Sequence, residues 1–229
     1  MLFHDRRHAG QLLAASLRPY ADRPEVLVLA LPRGGVAVGV EVAEALRAQL
    51  DVFVVRKLGV PGHEELGLGA VASGGIRTLN ESVIQDLRIS KEVIEGISAS
   101  EWQELERRER DYRQGRPFPD VQERVVILVD DGIATGGTMR AAALALYYMR
   151  PKRAVIAVPV APLSVCGELG KLVDEVVCIA MPEMFFAIGH WYEDFPQITD
   201  EQVAEMLERA AHRDGCSRDV ATVDVVSRC

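Results

Sequence analysis

The chain has 229 residues, a hydrophobic fraction of 48% and a formal net charge of −8. That length suits one α/β domain with a substantial core, or a domain with a small subdomain. The acidity argues against a general nucleic-acid binder, though not against a small basic pocket for an anionic ligand. No apolar run approaches the roughly 20 residues needed to cross a bilayer, and the N-terminal MLFHDRRHAG lacks the apolar core of a signal peptide. Cys166, Cys178, Cys216 and Cys229 have no metal-like spacing. A reduced, cytoplasmic protein with no membrane partner is therefore expected.

Residues 5–17 carry Ala9, Leu12, Leu13 and Leu17 at helical spacing, and Pro19 ends the pattern. His4 and His8 could share a face of that helix, but with no further ligand nearby they read as exposed. Val26–Leu31 is a short apolar strand, followed by Pro32-Arg33-Gly34-Gly35 and a helical pattern over Val36–Leu50. Backbone N–H groups of Gly34 and Gly35, with the Arg33 guanidinium, suit a diphosphate; a tight βα turn would use the same glycines. Val52–Val55 is the next strand, with Arg56 and Lys57 expected at its carboxyl end, where open α/β sheets bind ligands. Leu58–Gly69 is rich in Gly and Pro and reads as a mobile loop, with His63 and Glu64 at its tip. Gly69–Ser73 and Ile76–Leu79 form a hairpin around Gly74-Gly75. Ser90–Gln114 mixes charges of both signs at i,i+3 and i,i+4, which predicts a long, solvated helix. Its departure from the βα rhythm leaves room for a homo-oligomer contact. Gly115–Asp120 is a linker back to the core.

Val125–Thr138, reading VVILVDDGIATGGT, is the most informative stretch. An apolar strand runs into Asp130 and Asp131, then a Gly/Thr loop, then a helical segment over Met139–Met149. A helix start offers unpaired N–H groups and the positive end of the dipole, which together bind phosphate. Thr135 and Thr138 add hydroxyl donors. The two acids repel phosphate, so they are better suited to sugar hydroxyls or a nearby metal. Arg153–Ala161, Pro162–Leu172 and Glu175–Ala180 continue as strand, helix and strand, which predicts parallel strands with right-handed crossovers. Cys178 is expected in the core. Met181–Phe195 gathers Phe185, Phe186, Trp191, Tyr192 and Phe195, whose faces could stack on a flat heterocycle or plug the end of the sheet. Thr199 caps a last helix, Asp200–His212, and Cys216–Cys229 reads as a frayed tail.

The run Val126–Val129, Asp130, Asp131, Thr135, Gly136 and Thr138 resembles the phosphoribosyl diphosphate (PRPP) motif of type I phosphoribosyltransferases. Arg33–Gly35 sits where that family places its pyrophosphate loop, which often contains a strained or cis peptide. Arg56-Lys57 and the loop after it resemble the catalytic loop of adenine-type enzymes. Pro182, Phe185 and Gly189 loosely match a base-binding hood, with Phe185 and Phe186 competing for the stacking position. The resemblance spans roughly Val26 to Phe195. It implies an α/β fold with a mostly parallel central sheet, helices on both faces and a small hood. The domain would occupy residues 1–215, with the hood at about 180–200 joined by the N-terminus, and 216–229 as a tail.

The same resemblance implies a phosphoribosyl transfer from PRPP to a nitrogenous base, with Mg²⁺ as cofactor and release of pyrophosphate. Ala134, Thr135, Gly136, Gly137 and Thr138 would hold the 5′-phosphate. Arg33, Gly34, Gly35, Arg56 and Lys57 would hold the pyrophosphate. Asp130 and Asp131 would face the ribose and its developing charge, and Arg33 and Lys57 would stabilise the leaving group. Mg²⁺ would be bound mainly through PRPP and water, with no direct protein ligand assigned. The 6-oxopurine enzymes have an acid where this chain has Ala134, so the loop is closer to the adenine type and the base stays open, purine-like at the coarsest. Two alternatives stand beside this reading: a PRPP or nucleotide sensor without turnover, and transfer to an acceptor that is not a base.

Overall fold

The computed structural model describes residues 2–60 and 63–220, with the side chains of 63–66 and 213–220 outside the description. The chain opens with α1 (Arg6–Ser16), β1 (Val26–Ala30), α2 (Gly34–Leu46) and β2 (Gln49–Val52). β3 (Val55–Val60), β4 (His63–Ala72) and β5 (Ile76–Leu79) follow, then α3 (Glu81–Asp86) and the long α4 (Lys91–Arg113). The second half alternates strictly: β6 (Val125–Val129), α5 (Gly137–Tyr148), β7 (Arg153–Val160), α6 (Leu163–Leu169) and β8 (Glu175–Ala180), before α7 (Asp200–Val220).

A five-stranded sheet of order β2-β1-β6-β7-β8 forms the centre, and its neighbouring strands are all parallel. Every residue of β1 and β6 is buried. Parallel strands covered on both faces must be apolar throughout, which is why these two read as continuous Val/Leu/Ile runs. Successive side chains alternate between faces. Val26, Val28 and Ala30 pack with Ile127 and Val129 beneath Leu13 of α1, Val42 of α2 and Val203 of α7. Leu27, Leu29, Val126 and Leu128 pack on the other face with Met139, Ala142 and Leu146 of α5. The α/β class, the parallel centre and the two helical layers agree with the expectation from sequence.

Several boundaries differ from that expectation, and the expected strand Val52–Val55 is split, with Val52 ending β2 and Val55 opening β3. The helix after Arg33 ends at Leu46, because Arg47 takes a left-handed conformation (φ 53°) and leaves Leu50 in β2. The apolar spacing runs unbroken through this change of structure. Arg56 and Lys57 lie inside β3 rather than past a strand end, in a separate three-stranded antiparallel sheet of order β3-β4-β5. Most of Leu58–Gly69 is accordingly strand and not loop. Its glycines fall where pairing shifts register, with Gly59 opposite Gly67, and only Pro61 and Gly62 lie outside the described backbone. The side chains of His63 and Glu64 are outside the described residues. The last helix continues to Val220, so Cys216 belongs to α7, while residues 221–229 lie outside the described residues. Cys178 is only half-buried, because β8 is an edge strand that pairs with β7 alone.

The hairpin around Gly74-Gly75 and the long helix match expectation closely. Ser90 caps α4 by accepting from the Val93 N–H, and Gln114 ends it in a left-handed conformation. Although α4 is highly charged outside, Leu105 and Tyr112 bury its inner face. Arg113 ends it in the core, donating to Asp51 Oδ1 (2.8 Å) and to the Val52 carbonyl (2.7 Å). Burial pushes the Asp51 carboxyl up while Arg113 pulls it back. Removing one partner of such a pair leaves a buried charge uncompensated. Arg113→Leu should therefore lower unfolding stability by about 3–5 kcal/mol in urea titrations, with Arg113→Leu/Asp51→Leu recovering part of the loss.

Candidate active site

The strand order places β1 beside β6, with Ala30 in register with Val129. From β1 the chain moves outward to β2, and from β6 it moves the other way to β7 and β8. The crevice at the carboxyl ends of β1 and β6 is thus the topological switch point, where α/β sheets bind ligands. Two helices start there side by side. α5 begins behind Gly136, which has φ 78°, with no side chain capping its N–H groups and no acid in its first turn. α2 begins behind Arg33, likewise without a side-chain cap. The Pro32–Arg33 peptide is cis. Ala134, Thr135 and Thr138 are exposed or partly exposed around the α5 start. Such uncapped starts present N–H donors and the positive dipole end to an anion.

The loops touch one another. A Cβ on Gly34 would lie 1.9 Å from Oδ2 of Asp131, and one on Gly35 would lie 2.9 Å from Cα of Asp130. No side chain other than hydrogen fits at either position, so the α2 start lies directly against the acidic pair. From the second sheet, the Lys57 ammonium comes to 3.9 Å from where a Cβ of Gly137 would stand. Lys57 has no ion-pair partner among the described residues. An exposed cation therefore stands at the mouth of the α5 start.

The two acids have different surroundings. Asp131 is buried and accepts from Arg6 Nε at 2.8 Å. Arg6 also donates to the Pro196 carbonyl (2.7 Å) and stacks over the Phe195 ring at 3.7 Å. The Tyr192 hydroxyl donates to the Asp131 carbonyl at 2.6 Å, and burial holds that phenol protonated by pushing its pKa up. Asp130 is half-buried and accepts the Asp131 N–H at 2.8 Å. Loss of solvation, and then the charge of Asp131, raises its carboxyl well above the usual range.

The other expected residues divide. Arg33 is partly exposed and reaches Asp200 of α7 at 3.8 Å; the same carboxylate accepts from the Tyr112 hydroxyl at 2.6 Å. Arg56 is held by Glu101 of α4 at 2.7 Å, so its charge is already engaged. Phe185 packs inward beside Phe3 and Tyr192, whereas Phe186 is 81% exposed with its ring 6.4 Å from His190. Trp191 is half-buried, and its carbonyl accepts from the Phe3 N–H at 2.9 Å, which docks the N-terminus onto this segment. Sequence reasoning missed Arg6, Tyr112 and Asp200, and it read Tyr192 for its ring face and not for its hydroxyl, which holds Asp131. Arg6 left a signal: it falls on the buried face of α1 with Ala9, Gly10 and Leu13, and a cation at such a position needs a buried acid. A cavity of about 830 Å³ beside Arg23, Arg47 and Gln49 lies at the opposite, amino ends of the strands and contains none of these groups.

Two open helix starts thus face a carboxylate pair at the switch point of a doubly wound sheet. The family model for the phosphoribosyl transferase domain matches residues 6–193, and the chain belongs to that family. A Thermus thermophilus protein of known crystal structure is similar at TM-score 0.81 and 43% identity, over 91% of this chain and 99% of that one. Two Mycobacterium tuberculosis proteins, from strains CDC 1551 and H37Rv, bear provisional names as phosphoribosyl transferases. Each is 42% identical over 213 residues, which is 93% of this chain and 48% of the relative. The chain thus spans about half the length of the curated relatives it matches.

The raised Asp130 carboxyl has a consequence for stability. Its folded pKa lies above the unfolded one, so its contribution is favourable at low pH and is lost as pH rises through the folded pKa. Asp130→Asn should melt higher than the parent at pH 7, by about 2–4 °C for each kcal/mol of repulsion removed. The difference should vanish below about pH 4, the usual carboxylate range. Thermal melts across the acid-to-neutral range check this, and an unchanged or lower midpoint at pH 7 contradicts it.

Proposed function

We propose that the protein transfers the 5-phosphoribosyl group of PRPP to a ring nitrogen of a purine-like base and releases pyrophosphate. The observation that carries this reading is the uncapped start of α5, with Thr135 and Thr138 around it and the Lys57 ammonium beside it. Such a start binds a phosphate through backbone N–H groups. The second open start, at Gly34-Gly35, lies close enough for one ligand to span both, which suits a sugar with a 5′-phosphate and a separate diphosphate. In the reaction the C1–O bond breaks, the electron pair leaves with pyrophosphate, and the C1–N bond forms. Positive charge develops on the ribose ring between these events. Asp130 is the carboxylate placed to offset it and to accept from ribose hydroxyls, because Asp131 is committed to Arg6. Lys57 and Arg33 meet the leaving diphosphate, a role for positioned charge. Arg56 contributes through its pair with Glu101, by holding β3 and therefore Lys57 in place.

Mg²⁺ is the cofactor this reading calls for. The carboxylate oxygens at the end of β6 fit a cation that prefers oxygen ligands and keeps several waters. Asp130 would hold it through water, and the ion would supply charge neutralisation on the diphosphate. The base would stack on Phe186, the exposed one of the adjacent pair. Ala134 offers no proton acceptor, so the nitrogen's proton must pass to water or to another group.

A pyrophosphate-release assay with PRPP and Mg²⁺ against a panel of bases tests the proposal. Release with one purine-like base is expected. Binding of PRPP without release from any base would favour a sensor, and no PRPP binding would overturn the reading. Lys57→Ala should lower kcat/KM by about 100-fold, the scale of losing one charge-stabilising contact, with an unchanged unfolding midpoint. Phe186→Ala should raise KM for the base by about tenfold, as expected for a lost stacking face, with KM for PRPP little changed.

A further inference from the structure

The geometry points to a second ligand site, at the far end of α5, that takes a nucleoside polyphosphate. A cavity of about 680 Å³ opens there between the end of α5, the turn into β7 and the segment from α6 to β8. That size lies within the range of small-molecule sites. Tyr147 and Tyr148 stand in its wall at 70% and 62% exposure. Their rings are 5.7 Å apart at 78°, so the pair offers faces in two directions. Large apolar groups are seldom left exposed side by side without a partner, and aromatic faces stack on bases of any identity.

The wall also carries three cations among apolar residues such as Leu172 and Val173. Arg150, Lys152 and Lys171 line the same cavity and are exposed. Nearby arginines are engaged: Arg140 with Glu168, and Arg153 with Glu175. Arg150, Lys152 and Lys171 have no ion-pair partner among the described residues. The one acid in the wall, Asp174, accepts the Ala154 N–H at 2.8 Å. A concentrated positive patch on a chain of net charge −8 is selective for anions. Three cations beside two aromatic faces match a base joined to a polyphosphate, with the phosphates taken by charge-assisted hydrogen bonds.

The charge pattern also separates this occupant from others. A two-fold contact between copies would set the three cations against their own counterparts. A nucleic-acid strand would need a basic track running beyond the cavity, whereas the neighbouring Arg140 and Arg153 are neutralised by Glu168 and Glu175. The site is independent of the proposed PRPP site. It lies at the amino ends of β7 and β8, whereas the two open helix starts lie at the carboxyl ends of β1 and β6. The length of α5, roughly 18 Å at 1.5 Å per residue, stands between them.

Isothermal titration of the full chain with ATP as probe, without PRPP, tests the site. ATP should bind the parent and Lys57→Ala alike. Tyr148→Ala and the double variant Lys152→Ala/Lys171→Ala should each weaken it by about tenfold or more, the scale of one lost stacking or phosphate contact, with unfolding midpoints unchanged. Inorganic triphosphate should bind at least about tenfold more weakly than ATP, because it has no base to stack. No ATP binding at millimolar concentration, or binding lost only in Lys57→Ala, would overturn the proposal. So would triphosphate binding equal to that of ATP, or dependence on Tyr148 shown only by a short thymidine oligonucleotide. Dissociation of a dimer in Tyr148→Ala, with no ATP binding by the parent, would overturn it too and reassign the face to self-association.

Discussion

The Arg6–Asp131 ion pair is the contact on which the site's arrangement depends. It ties three separate parts of the chain: the first turn of α1, the end of β6, and the Tyr192–Pro196 segment that closes over them. A buried pair gives little net stability, because desolvating two charges offsets most of their attraction. Its value is positional. Arg6 has its guanidinium on Asp131, on the Pro196 carbonyl and over the Phe195 ring at once, and Gly34 leaves the carboxylate just enough room. Rotating Asp131 outward would break the ion pair and free Arg6 from this arrangement. Two adjacent acids thereby acquire two roles: one holds the Tyr192–Pro196 segment and the N-terminal helix to the sheet, and the other faces the crevice. The division comes from environment alone, since both are aspartates.

The second constraint is topological. Because the chain winds outward in opposite directions from β1 and β6, the helices that follow these strands start next to each other. Each brings unpaired N–H groups and a positive dipole end to the same crevice. Anion binding therefore needs few cationic side chains, which is how an acidic chain can present an anion site. Lys57 adds charge from outside this layer, on the β3–β4 ribbon that α4 supports through Glu101 and Arg56. The long helix is thus connected to the crevice through the strand that carries Lys57.

Local chemistry was legible wherever one segment decides its own structure. β1 and β6 announce themselves as buried parallel strands by unbroken apolar runs. Ser90 and Gln114 mark the ends of α4, and the glycines of the Gly74-Gly75 turn mark a hairpin. The loop from Asp130 to Thr138 shows its acids, its glycines and the helix start after it in its own residues. Where two structures share one periodicity, sequence failed. The apolar spacing through Leu46 and Leu50 does not show the left-handed Arg47 between them, and a Gly-rich ribbon looks like a loop until its partner strand is known.

What the sequence determined by itself was the α/β class, the helix start after β6 and the adjacent acids above it, because each arises from neighbouring residues. Only the tertiary structure decided which acid is paired, which of Phe185 and Phe186 faces outward, and which of Arg56 and Lys57 is ion-paired among the described residues. Each of those outcomes rests on a partner distant in the chain: Arg6 for Asp131, Phe3 and Tyr192 for Phe185, Glu101 for Arg56. Adjacent residues of like chemistry look interchangeable in sequence. The long-range contact made by one and not by the other separates them.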